Sequence, residues 1–131
     1  MDESRIVAEL FLEKPRYEEI AKASKSLESA GIKSMMLPPE NRGVPTHIVV
    51  ELSDAKRAED VLSRLGIPAK TKEVLLIPLE NKPGTMADMT KKVSSTSVNL
   101  TYAFCIAVSS KRSYMLLDSA DNAAILEILK K

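Results

Sequence analysis

Residues 81–88, Asn-Lys-Pro-Gly-Thr-Met-Ala-Asp, combine four features suited to holding a small ligand. Pro83 and Gly84 fit the second and third positions of a type II turn, and the third needs a positive φ that glycine adopts at little cost. Thr85 stands where an N-cap is expected, with Asp88 three residues on in capping-box position. The helix that would begin there presents unpaired N–H groups and the positive end of its dipole, which favour a carboxylate. Gly84 has no Cβ, so a ligand can come close to the main chain. An amino acid suits such a place, with its carboxylate on the N–H groups and its ammonium on a carbonyl or on the Asn81 amide. Its side chain would lie in an apolar interface. On local chemistry alone the plainer alternative is the stronger: a well-made turn that only reverses the chain.

Other candidate groups read as structural. His47 is the sole histidine and opens a strand; with no Cys, Asp or His at ligand spacing it reads as a strand-end residue, not a metal ligand or general base. Cys105, between Phe104 and Ile106, reads as a buried, inert thiol. A single cysteine excludes an internal disulfide and a Cys-paired metal site, and fits a reducing, cytoplasmic setting. The methionines read as core filler, and no cofactor is implied. Asn99 stays open between capping a strand edge and touching a ligand. No acid–base pair converges on Lys82, so no catalytic activity is expected.

The elements that must position the turn follow from periodicity. Residues 5–13 alternate as a strand, 16–31 carry a helical stripe (Tyr17, Ile20, Ala23, Leu27) closed by Gly31, and 32–37 form a strand before the turn-rich "PPENRGVP". Residues 46–53 are a strand with Ile48, Val50 and Leu52 inward, and Asp54 can cap a helix running to Leu65. The order then begins again: strand 73–80, helix 85–96 with Met86, Met89 and Val93 inward, a hairpin of 99–108 with 113–119, and a helix capped by Asp121. The expected fold is therefore α+β: a ferredoxin-like βαββαβ sandwich repeated in tandem over 1–72 and 73–131. Each repeat has an antiparallel sheet with helices on one face, and the second lacks its last strand. The segment "IPAKTKEVLLIPLE" must end the first repeat and open the second. Strands 73–79 and 102–108 are apolar on both faces, which calls for a cover from the other repeat or a second chain, so a homo-oligomer is expected.

Size and charge narrow the functional classes. The 131 residues suit one ordinary domain or two very small ones, and 44% hydrophobic with 28% charged residues is a globular composition. A net charge of +1 advertises neither nucleic acid nor an acidic surface as partner. No apolar run approaches the roughly 18 residues that cross a membrane. An RNA-recognition sheet would set basic residues around Tyr102 and Phe104, and none are there. A soft-metal chaperone needs Cys-x-x-Cys, and an acylphosphatase-like enzyme needs an arginine-bearing phosphate loop; both are absent.

The run "VLLIPLENKPGTMADMTKKVSSTSVNLTYAFCIAV", with "YMLLDSADNAAILEIL" after it, resembles an ACT domain, a small ligand-sensing module of amino-acid metabolism. "ENKPGTM" stands in place of the family's Asp/Asn-x-Pro-Gly-x-Leu turn and "VNLTYAF" in place of its small-apolar-Asn-Ile strand opening. In that family the turn after the first strand, together with the second strand of an apposed unit, forms the amino-acid site. The resemblance thus nominates Asn81, Lys82, Pro83, Gly84, Thr85 and Met86, and across from them Asn99, Leu100 and Tyr102. The first repeat shares the element order but carries Pro15-Arg16 instead of Pro-Gly, with Glu18 and Glu19 in the first helical turn, and reads as scaffold. The expectation is a regulatory protein that binds an amino acid and acts through a homo-oligomer or an amino-acid-metabolism enzyme. A structural or oligomerisation module without a ligand is the alternative.

Overall fold

Alternating side chains in Arg5–Phe11 (β1) send Ala8 and Leu10 to one face and Val7 and Glu9 to the other, and all four are buried. The structure, a computed structural model, describes residues 4–12, 16–37, 47–107 and 109–130. After β1 come α1 (Tyr17–Ser29), β2 (Ser34–Leu37), β3 (His47–Glu51), a 3-10 turn (Leu52–Asp54) and α2 (Ala55–Arg64). Then follow β4 (Lys70–Glu80), α3 (Thr85–Ser94), β5 (Leu100–Ala107), β6 (Arg112–Ser119) and α4 (Asn122–Leu129). The expected turn-rich segment 38–45, Pro15 and Val108 lie outside the described residues. Two units result: Val7–Glu73, and Val74 onward together with the residues up to Ile6.

In the first unit β3 lies between β1 and β2, antiparallel to both, with Leu10 opposite Ile48 and Ala8 opposite Val50. These four face Ile20, Ala23 and Leu27 of α1 and Ala58 and Leu62 of α2 in one buried cluster. In the second unit β6 lies between β4 and β5, again antiparallel to both, with Leu75 opposite Leu117 and Ile77 opposite Met115. Those residues pack on Met89 and Val93 of α3 and Ile125 of α4. Within each unit the helices thus cover one face of the strands, the α+β arrangement the periodicity implies. On the other face Val74, Leu76 and Leu116 are already buried within a single chain.

The structure departs from the sequence reading at several element ends, for local reasons. Leu52, expected inward, is 43% exposed because the chain leaves the strand at Glu51 and tightens into a 3-10 turn. Asp54 makes no side-chain cap, since its backbone is already helical; its carboxylate accepts from Arg57 at 3.1 Å instead. Tyr17, the first residue of α1, is 68% exposed instead of joining the apolar stripe. Asp121 does cap α4, accepting from the Ala124 N–H at 3.1 Å. Among the described residues no helix is long and apolar enough to cross a membrane.

His47 is no mere strand-end residue. Its Nδ1 lies 3.3 Å from Glu9 Oε2 with both side chains buried, and its ring packs on Phe11 at a centroid distance of 5.1 Å. Removing the imidazole leaves the buried Glu9 side chain and the Phe11 ring facing a cavity, which loses both packing and a polar neighbour. His47→Ala is therefore expected to lower unfolding free energy by about 2–4 kcal/mol. Urea denaturation with an unchanged slope checks this, and a loss under about 0.5 kcal/mol would contradict it.

Candidate functional site

β4 ends at Glu80, and the chain turns through Asn81 to Gly84 into α3. The turn has type II geometry as its sequence requires: Gly84 has φ +89° and ψ −19°, and the Thr85 N–H reaches the Lys82 carbonyl at 3.4 Å. No heavy atom lies within 4 Å of where a Cβ on Gly84 would sit, so the positive φ, and not space, demands glycine. Gly84 itself is the N-cap, which makes Thr85 the first helical residue and leaves the expected Thr85–Asp88 capping box unformed. The cause is the turn: closing on Thr85 places that residue at helical φ and ψ, one position too late to cap. The Asp88 N–H closes the first helical hydrogen bond on the Gly84 carbonyl at 2.9 Å. The N–H groups of Met86 and Ala87 have no partner among the described residues.

Helix α1 shows the same end filled. Its N-cap is Arg16, whose N–H donates to the Glu19 carboxylate at 3.0 Å, with the Arg16 guanidinium 3.7 Å from that same oxygen. Glu19 is the third helical residue; the third residue of α3 is Ala87, which has no carboxylate to offer. The first unit therefore returns a carboxylate to its own N-cap, whereas Asp88, the acid in the first turn of α3, makes no side-chain cap.

Asn81 proves to be a fastener. Its N–H donates to the Lys111 carbonyl at 2.9 Å and its Nδ2 to the Ser109 carbonyl at 2.9 Å, while its Oδ1 accepts from the Ser113 hydroxyl. The side-chain amide is thus engaged with the β5–β6 hairpin and holds the turn against it. Neither Ser109 nor Ser113 stood out in the sequence, because their pairing with Asn81 depends on a register set by the hairpin. Lys82 pairs with Glu80 at 3.0 Å on the open surface, where such a contact is worth little. Pro83 and Gly84 are exposed, Thr85 is half-buried, and Met86, expected inward, is 43% exposed. The burial stripe of α3 starts one turn later, at Met89.

The remaining nominated residues lie elsewhere. Asn99 is exposed, and its carbonyl accepts from the Ala120 N–H at 2.9 Å. Leu100 pairs with Ser119 and Tyr102 with Asp118, whereas Glu80, just before the turn, pairs with Arg112. Between Arg112 and Ser119 the strand advances about 23 Å at about 3.3 Å per residue. The two halves of the nominated site therefore sit at opposite ends of their own sheet. Leu100 is 48% exposed and helps line an apolar cleft of about 130 Å³ with Met89, Val93, Ala103 and Met115. A larger, more polar cleft of about 480 Å³ lies in the first unit along α2, between Glu59, Ser63 and Thr71.

Cys105 is exposed, not buried: it lies on the outer strand β5, which the helices leave partly open. Partial desolvation still pushes its thiol up from the usual range, which favours the protonated form. Among the described residues no three His, Cys, Asp or Glu side chains gather to hold a metal ion.

The profile of the ACT domain pair family matches residues 41–131. No curated protein matches the sequence. Among solved structures, a protein of Bacteroides thetaiotaomicron aligns at 18% identity and TM-score 0.65, over 98% of this chain and 86% of its own. The ligand-free regulatory subunit of aspartate kinase from Thermus thermophilus aligns at 20% identity and TM-score 0.63, over 97% and 93%. That of Thermus flavus aligns at 17% identity and TM-score 0.61, over 98% and 92%.

Asn81→Ala is expected to cost about 1–2 kcal/mol, since two side-chain hydrogen bonds are lost at a solvent-accessible site. Amide hydrogen exchange should quicken at Lys111–Ser113; unchanged exchange there would show that the amide does not hold the hairpin.

Proposed function

The chain belongs to the ACT domain pair family, and on that premise we propose that it is a regulatory protein that binds an amino acid at the turn between β4 and α3. We assign it two repeats, 1–72 and 73–131, of which the second binds and the first is scaffold. The observation that carries this reading is the unfilled helix start: Met86 and Ala87 offer N–H groups beside a glycine N-cap, and Ala87 stands where α1 has its own carboxylate. A bound carboxylate would accept from the Met86 and Ala87 N–H groups of α3, deeper in the helix than the N-cap N–H of Arg16 that Glu19 satisfies in α1. The ammonium would meet a main-chain carbonyl, because the Asn81 amide is engaged. The likeness to regulatory subunits of aspartate kinase supports an enzyme of amino-acid metabolism as the partner that feels the ligand.

The reading gives the chain no reaction of its own. Binding changes the stability of one interface arrangement, with a second copy or with that enzyme, by a coupling of about 1–3 kcal/mol. The setting is the cytoplasm. One observation favours the alternative of a module without a ligand: Asn81 already makes the turn a sound piece of structure by itself.

A thermal-shift series with each of the twenty amino acids separates the two. A ligand at about 100 times its dissociation constant adds about 2.7 kcal/mol to unfolding, a readily measured rise in melting temperature. Gly84→Asp is expected to abolish the rise by placing a carboxylate at the helix start. That position is open enough to hold the side chain, so the loss of stability is limited to backbone strain. No rise with any amino acid would favour the module without a ligand; a rise that survives Gly84→Asp would place binding elsewhere.

A further inference from the structure

In the first unit the chain leaves α2 through Gly66, at φ +72°. The Gly66 N–H donates to the Ser63 carbonyl and the Ile67 N–H to the Leu62 carbonyl, both at 3.0 Å, which closes the helix end and folds the chain back beside it. Pro68, with a fixed φ and no N–H, then leads into β4. Between α2 and this returning segment lies the cleft of about 480 Å³, a size usual for small-molecule sites. One wall is a single helical stripe, with Leu62 and Ser63 three and four residues on from Glu59. Ala69 of the other wall packs on the core of the unit, and Thr71, two residues on, puts an exposed hydroxyl on the same helix-facing side. On β1 and β3 that side carries Ala8, Leu10, Ile48 and Val50, so a hydroxyl there breaks the pattern that would close a core.

We infer that this cleft is a ligand site of the first unit, and that it takes a small primary amine carrying no carboxylate. Among the described residues the Glu59, Ser63 and Thr71 side chains make no hydrogen bond or ion pair with the protein, so all three can face a ligand. An alkylammonium group brings a positive charge and three N–H donors. The cleft meets it with acceptors only where charge is wanted, the Glu59 carboxylate, and with two hydroxyls beside that. Leu62 and Ile67, both buried, give an apolar base for the aliphatic chain. No lysine or arginine lines the cleft, so nothing there holds a carboxylate or a phosphate, and Glu59 repels either. Glu59 is exposed, so its charge alone attracts weakly; the hydroxyls and the apolar base supply the selectivity. Amino acids are left to the start of α3, and the inference stands apart from that reading, in which this unit is scaffold.

Titration of the labelled full chain with butylamine, followed by backbone amide shifts, tests the site, with butyrate and 1-butanol as probes of equal chain length. Butylamine is expected to move the amides of 59–71 together and to saturate, leaving Met86 and Ala87 still. Glu59→Gln should weaken it about tenfold, and Thr71→Val several-fold. Both positions are exposed, so neither substitution is expected to disturb the fold. Hexylamine should bind more tightly than butylamine, because its added methylenes reach the apolar base. Shifts that grow without saturating, or that appear equally at the exposed carboxylates Glu28 and Glu127, would overturn the inference by reducing it to loose ion pairing. So would equal binding of butyrate or butanol, or binding indifferent to both Glu59→Gln and Thr71→Val. Failure of every amino acid in the thermal-shift series, alongside saturable butylamine binding, would defeat the amino-acid reading alone.

Discussion

A helix start leaves backbone N–H groups that must find an oxygen, and the two units meet that demand differently. In α1 the chain answers it internally, with Glu19 returning to the Arg16 N–H at 3.0 Å. In α3 a type II turn delivers the chain through Gly84 at φ +89°, and the third helical residue is Ala87. The turn fixes where the α3 N–H groups start, and the acid nearest them, Asp88, stands one residue past the capping position that Glu19 holds in α1. Arg16 at the equivalent point of the first unit could not adopt that positive φ cheaply, and its extended backbone suits a capping box instead.

Holding that turn steady falls to the sheet. Asn81 is fastened to the β5–β6 hairpin through the Lys111 and Ser109 carbonyls and the Ser113 hydroxyl, so the start of α3 inherits the rigidity of β4 and β6. Below it, Leu75, Ile77, Met115 and Leu117 anchor α3 through Met89 and Val93. The same antiparallel register that steadies the turn carries Asn99 and Leu100 to the far end of the strands. Rigidity and separation have one cause.

Much of this was legible in the residues. The period-2 and helical patterns located the strands and α-helices but not the 3-10 turn at Leu52–Asp54, because strands with helices on one face sort side chains strictly: Ala8, Leu10, Ile48 and Val50 inward, with Ile20, Ala23 and Leu27 above them. Pro-Gly announced its turn type for a steric reason that context seldom overrides. What escaped the sequence depended on distant partners or on one-residue shifts. Glu9 and His47 are far apart in the chain, and only the β1–β3 register makes them a buried pair. Thr85 and Met86 were misplaced by a single helical position, enough to turn a cap into a first residue and an inward side chain outward. Cys105 looked buried between two large apolar neighbours because the sequence does not show that β5 is an outer strand.

The central claim is that the start of α3 is an amide cradle for a carboxylate. Backbone amide resonances of the labelled full chain, followed during titration with the amino acids, test it most directly. Gly84, Thr85, Met86 and Ala87 are expected to shift together and saturate with one ligand. Saturable shifts confined to the α2 cleft near Glu59 and Thr71, with the α3 start unmoved, would contradict it.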